Sequence, residues 1–257
     1  MTTHTSHFYK IIIPQHLSGL VAIGLLFAGE STVWLLATFA AWFLCFVMGE
    51  GIFFHKYFSH RSFETNPIIA KIFAVFGLLG GFGSPISYRA VHTGLHHAHS
   101  DTDKDSHSPI HGFWHSWLLW HLTSVRPPLI ICKTLLKDKF YVWLEANIIK
   151  IWWTTVILLA LVDWRLPIFT MGLAGMIGMS MAGISNSIGH SYGSRRFDTN
   201  DNSRNVWWIS WFTWQGGILQ NNHHARPSRY HDSLAWYEFD IGKWIIPLIA
   251  TKIHYQE

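Results

Sequence analysis

Residues 31–60 read STVWLLATFAAWFLCFVMGEGIFFHKYFSH. Positions 31–54 are an apolar run whose one charge is Glu50, and the run passes straight into His55 and His60. A hydrocarbon core of about 30 Å needs about 20 helical residues, so this run is long enough to cross a membrane as a helix. Upstream, residues 11–29 form a second such run, divided from the first by Glu30-Ser31, and the two read as a helical hairpin. A second pair runs from about 147 to 162 and from about 166 to 186, split by a polar turn at Asp163-Trp164-Arg165 and Pro167. The expected fold is all-α and integral to the membrane, with four transmembrane helices in two hairpins.

Composition agrees. Of 257 residues, 49% are hydrophobic and 13% charged, about half the charged share of soluble domains. Residues 68–83, 113–122, 206–219 and 244–250 are shorter or interrupted, which suits interfacial or re-entrant helices, and 15 tryptophans fit an interface belt. Residues 1–10 lack a charged segment followed by a cleavage site, so the first run is expected to be retained. Cys45 and Cys132 cannot make a disulfide framework or a thiolate cage, and Cys45 reads as core. No second domain or repeat is evident, and residues 1–257 are expected to form one domain. The net charge of +4 marks a cytoplasmic face rather than a nucleic-acid surface. Of 19 Lys and Arg residues, 9 lie between His55 and Glu145 and 7 after His190, which puts both long polar segments, and a histidine-rich helical cap, on the cytoplasmic side.

Ten of the 18 histidines fall between His55 and His121. On an α-helix His55 and His60 would point roughly 140° apart and address different metals, whereas a lone pair would merely snorkel at an interface. His92 and His96 share a helical face, as a one-metal pair would, with His97 turned away. Asp101, Asp103 and Asp105 follow; they could fix ligand tautomers, although each alone reads as part of a solvated acidic loop. Asn186 and His190 sit four apart at the end of the fourth span, where a packing hydrogen bond is the plainer reading. Gln220 precedes His223 and His224 by three and four positions. Together these are eight histidines plus Asn186 and Gln220, more than one zinc requires. Two metals are indicated, and imidazole suits iron, copper, zinc or nickel alike.

Taken in order, the clusters resemble the membrane fatty acid desaturase family, in its delta-9 acyl-CoA and acyl-lipid branch, across about residues 49–227. His55-Lys-Tyr-Phe-Ser-His60 is similar to the first histidine box. His92 to His97 with the tail through Asp101, Asp103, Asp105 and His107 is similar to the second. Asn186-Ser-Ile-Gly-His190 matches the segment giving one further ligand and a water-holding asparagine, and Asn221-Asn-His223-His224-Ala-Arg-Pro227 matches the end of the third box. The chain departs from the branch at Gln220, where His is usual, at the three residues between His92 and His96, at Gln215-Gly-Gly and at Arg226.

The resemblance implies two iron ions and molecular oxygen as co-substrate, held by His55, His60, His92, His96, His97, His190, His223 and His224, with Gln220 as a further ligand and Asn186 acting through water. It implies an oxidoreductase that introduces a cis double bond, of delta-9 type, into a saturated fatty acyl chain on coenzyme A or lipid. The acyl tunnel is expected between the spans and residues 68–84. Electrons are expected from a separate ferredoxin or cytochrome. Lys56, Arg61 and Arg89 are candidates for an anionic head group, against the plainer reading of face charges. Rival readings are a di-iron hydroxylase or ketolase of alkanes, carotenoids or sterols, and a membrane metal carrier, which would string histidines along its spans.

Overall fold

A computed structural model describes residues 4–123 and 127–254. Among the described residues four helices are long and apolar enough to cross a membrane: α1, Phe8–Phe27; α2, Trp34–Ser59; α5, Lys139–Val162; and α6, Arg165–Ser187. Both pairs expected from hydropathy are present, with α2 running past residue 54 to carry His55 and α5 beginning well before 147. Pro167 lies in the first turn of α6 rather than in the turn before it, a position where proline's missing N–H leaves no intrahelical bond unmade. The outer faces are apolar, as lipid demands: Phe27, Leu161 and Val162 are 90%, 77% and 79% exposed.

The closest packing is not between chain neighbours. α6 lies against both α1 and α2, and glycines bring the backbones together. A Cβ at Gly172 would strike Ser18, one at Gly175 would strike Gln15, and one at Gly178 would crowd Phe46. The two inter-helix turns also meet. Arg165 donates to Asp163 at 2.7 Å and to Glu30 at 3.3 Å, and its guanidinium lies 5.0 Å from the Trp34 ring centre.

Between α2 and α5 the chain builds the scaffold of the polar region. β1, Phe63–Thr65, pairs antiparallel with β2, Ala250–Ile253, a small ribbon that an all-α reading lacks. α3, Pro67–Leu79, starts where the Asn66 side chain accepts from Ile68 N at 2.8 Å and Pro67 presets the first turn. Its small face, Ala70, Ala74 and Gly77, packs on α2. α4, Pro85–Val91, is started by a reciprocal pair of bonds between Ser84 and Ser87. α7, Gln220–Ala225, carries the last histidines. Cys45 and Cys132 are free, the first half-buried and the second buried.

The α2–α3 crossing is tightest where a Cβ on Gly49 would lie 2.5 Å from the Gly77 backbone nitrogen. Neither backbone can yield, so Gly49→Ala is expected to destabilise the protein by about 1–3 kcal/mol. Thermal unfolding in a fixed detergent measures this, and an unchanged midpoint would show that the crossing is slack.

Candidate metal centre

From Phe43 onward α2 is wound as a π-helix, in which N–H groups bond five residues back. Such winding is rare and concentrates at functional sites. The His60 N–H donates to the His55 carbonyl at 3.1 Å, which brings the two rings to 4.9 Å between centres. The expectation that His55 and His60 point to different metals is therefore wrong: it assumed 3.6 residues per turn. The same winding recurs from His92 to His96, where the His97 N–H donates to the His92 carbonyl. His92 consequently faces His97, with their Nε2 atoms 3.1 Å apart, and His96 turns elsewhere, the reverse of the α-helical pairing.

Two groups result. His55, His60, His92, His97 and His223 form one, and His96, His190 and His224 the other, with ligating nitrogens in each group within 4.8 Å of one another. In the first group Nε2 atoms approach to 2.9 Å for His55 and His223, 2.9 Å for His60 and His92, and 3.0 Å for His97 and His223. A neutral imidazole has one N–H and one lone pair, so five rings meeting through their Nε2 atoms cannot satisfy one another.

The second group makes the need for a cation plainer. His96 Nδ1 lies 2.9 Å from Asp105, His190 Nδ1 2.9 Å from Asp101, and His224 Nδ1 2.6 Å from Asp201. Each carboxylate accepts the Nδ1 proton and leaves Nε2 as a bare lone pair, the arrangement of carboxylate–histidine–metal triads. His190 Nε2 is buried with no hydrogen-bond partner, and so is Gln220 Oε1. These donors fit a metal ion and little else. His223 Nδ1 lies 3.4 Å from Asp232, which is held by Lys56 at 2.6 Å.

Asp101 and Asp105 are thus anchors rather than loop charges. Asp101 adopts a left-handed conformation, φ 58°, that lets it also accept from Asn202 N at 2.7 Å and Ser108 Oγ at 3.0 Å. Lys56 and Arg89 are buried and turned inward, Arg89 onto the Phe58 carbonyl at 2.6 Å, so neither presents its charge to head groups. Arg61 donates to Thr134 at 2.9 Å. Asn221 and Asn222 are buried and hold α7: Asn221 accepts from the Arg196 and Phe197 backbone N–H groups at 2.7 Å each, and Asn222 donates to the Asp232 carbonyl at 2.8 Å. Asp201, Asp232 and His107 were not singled out by spacing. His107, whose ring lies 4.5 Å from His96, shared a quoted motif but no role, and the two aspartates come from segments without a motif.

Beside the centre lies a cavity of about 550 Å³. His55, His92, His107, Asn186 and Gln220 line it near the metal groups, and Phe82, Val91, Leu129, Ile148, Met179 and Ala182 form apolar wall. Of the stretch expected to line a tunnel, only Gly81, Phe82 and Gly83 reach it.

Burial, reinforced by neighbouring cations and imidazoles, pushes His60, His92, His97 and His223 well below the ordinary 6.5, and burial also lowers His96 and His224 against the pull of their carboxylates. The rings are neutral and ready to ligate at pH 7. Burial alone would raise Asp105 and Asp201, but the adjoining imidazoles and hydrogen bonds outweigh it and hold both below the usual 3.8.

The unfolded chain therefore takes up protons first as pH falls below 6.5, and stability is lost from there downward towards the folded values. The aspartates, held below 3.8, add to that loss in the same direction, but only near and below 3.8. Metal-free protein is expected to show a thermal midpoint that falls from about pH 7 to about pH 5; a flat profile would mean the rings are solvated. Asp101→Asn, Asp105→Asn and Asp201→Asn should each weaken metal retention by about 10–100-fold, measured as iron per chain after dialysis against graded chelator.

A family model described as "Fatty acid desaturase" matches residues 31–252. The chain is 35% identical over 208 residues to "Delta-9 acyl-lipid desaturase 1" of Arabidopsis thaliana, covering 77% of this chain and 67% of that one. It is 32% identical over 207 residues to "sn-2 palmitoyl-lipid 9-desaturase" of Nostoc sp. (strain 36), covering 77% and 72%. It is 30% identical over 220 residues to "Acyl-CoA C20 Delta5-desaturase" of Anemone leveillei, covering 82% and 69%. The matched region spans about two thirds of each relative's length.

Proposed function

The chain belongs to the fatty acid desaturase family, and from that premise we propose that it is an oxygen-dependent di-iron enzyme that places a cis double bond, of delta-9 type, in a saturated fatty acyl chain. The observation that carries the reading is the pair of imidazole groups, one backed by three aspartates, whose buried Nε2 atoms converge within metal-binding reach of one another. His55, His60, His92, His97 and His223 would hold one iron. His96, His190 and His224, with Gln220, would hold the other, and Asn186 would act there through water. Iron bound in this way supplies oxygen activation and the removal of two hydrogens from neighbouring methylenes.

The chain's own part is placement. Asp101, Asp105 and Asp201 fix three rings against rotation, so the ligand set is formed before substrate arrives. The apolar wall of Val91, Leu129, Ile148 and Met179 would seat one C–C bond beside His55 and His92 and exclude bulk water. The named activities of the relatives cover acyl-lipid and acyl-CoA substrates alike, and both carriers fit the reading. The histidine site faces the cytoplasm in this proposal, on the distribution of Lys and Arg, and a separate ferredoxin or cytochrome delivers electrons.

A metal carrier needs ligands along its spans, and of the eight histidines only His55 lies within a candidate span, in its last turns. The test is gas chromatography with mass spectrometry of total fatty acids from cells expressing the chain or its His96→Ala variant with a competent electron donor. New unsaturated acids that disappear in the variant are expected, at a loss of at least 100-fold. An unchanged acid profile would overturn desaturation, and oxygenated lipids in its place would assign the chain to the hydroxylases.

A further inference from the structure

The two histidine groups differ in what stands behind their rings. In the group of three, every ring has its own carboxylate: Asp105 behind His96, Asp101 behind His190 and Asp201 behind His224, with side chains 0%, 4% and 11% exposed. Among the described residues no lysine or arginine forms an ion pair with any of these three carboxylates. Three negative charges therefore stand one imidazole away from whatever those rings ligate, with little water to screen them.

The group of five is built differently. Among the described residues His55, His60, His92 and His97 pair with no carboxylate, and only His223 does, its Nδ1 3.4 Å from Asp232. That carboxylate is already neutralised. Lys56 Nζ lies 2.6 Å from Asp232 Oδ1 and 3.5 Å from His223 Nδ1 itself, and the side chains of the pair are 5% and 1% exposed. A further bond from Lys56 to the Arg229 carbonyl, at 3.1 Å, fixes the ammonium in place. After burial, the neighbours that hold His60 low include both Lys56 and Arg89. Around the five rings, then, the Lys56 and Asp232 charges cancel and Arg89 adds a positive one, whereas the other three rings face negative charge alone. Negative charge one ring from a metal, and the basicity that a carboxylate lends its imidazole, favour the higher oxidation state, while an ammonium in that place favours the lower. Gln220, placed with the group of three above, offers an oxygen that is harder than imidazole nitrogen and works in the same direction.

We propose that the two metals are unequal in redox potential: the ion held by His55, His60, His92, His97 and His223 takes the first electron, and Lys56, acting through Asp232 and His223, is the positioning residue that sets the difference. The inference rests on the di-iron reading and deepens it by assigning the order of reduction. One electron from an external one-electron donor converts ferric to ferrous iron in the group of five, and a second electron does the same in the group of three.

The experiment is a reductive titration with dithionite of the full chain in phosphatidylcholine nanodiscs, loaded with two iron-57 ions per chain and followed by Mössbauer and EPR spectroscopy. Burial pushes the Asp232 carboxyl up to about 7, with Lys56 the strongest influence opposing it, so the titration is run at about pH 8. The half-reduced protein is expected to hold one ferric and one ferrous ion with separate isomer shifts, the two steps differing about a hundredfold or more in equilibrium constant, about 120 mV for one electron. Lys56→Met should lower the equilibrium constant of the first step about tenfold, Lys56→Arg should leave it at the parent value, and Asp232→Asn should raise it. Asp105→Asn should raise the second step instead. A valence-averaged half-reduced state overturns the proposal without any variant, and so does a first step that Lys56→Met leaves unmoved. Desaturase activity is scored separately on the same preparations: unequal reduction without unsaturated product would remove the desaturase reading and keep the asymmetry, and product from a valence-averaged centre would do the opposite.

Discussion

The bonds from histidine Nδ1 to Asp101, Asp105 and Asp201 govern the rest of the polar region. By taking the Nδ1 proton, each carboxylate leaves the lone pair on Nε2, and burial keeps water from reaching it. Three such lone pairs meeting at one place repel, as do the five rings of the neighbouring group, so the folded polypeptide alone is under electrostatic tension there. A bound cation reverses the sign of that interaction, and metal affinity in such a site is part of the folding free energy. Arg196, Asn221 and Asn222, which hold α7 through a connected hydrogen-bond network, are the restraints that keep the tension from being relieved by rotation of the rings.

Much of this was legible in the sequence. The four spans follow from hydropathy because lipid imposes a minimum length, and the eight histidines follow from their crowding between and beside those spans. Their grouping did not follow. Angles at 3.6 residues per turn separate His55 from His60 and join His92 to His96, while the five-residue bonding from Phe43 to Ser59 and from His92 to His96 joins the first pair and separates the second. Periodicity reports the winding a helix would have by default, and at these two segments tertiary packing sets another.

The carboxylate partners were illegible for a different reason. Asp201 reaches His224 and Asp232 reaches His223 from irregular segments with no period to read, and a single aspartate near a turn is ordinarily solvated. Asp101 and Asp105 were quoted with the second histidine cluster, yet only their burial distinguishes them from a charged loop. Glycine-mediated contact of α6 with α1 and α2 was equally hidden, since hydropathy predicts that helices span but not which of them touch.

The ribbon joining Phe63–Thr65 to Ala250–Ile253 begins three residues after His60. Its two strands are separated by most of the chain, and six of the eight histidines, from His92 to His224, lie between them. Membrane helices enter the bilayer one after another as they are made, but this ribbon cannot close until residue 253 has left the ribosome. The last ligands, His223 and His224, follow all four candidate spans, so both histidine groups are completed only after those spans have been made, and a metal would be taken up by a polypeptide already embedded rather than serve as a nucleus around which the nascent spans fold.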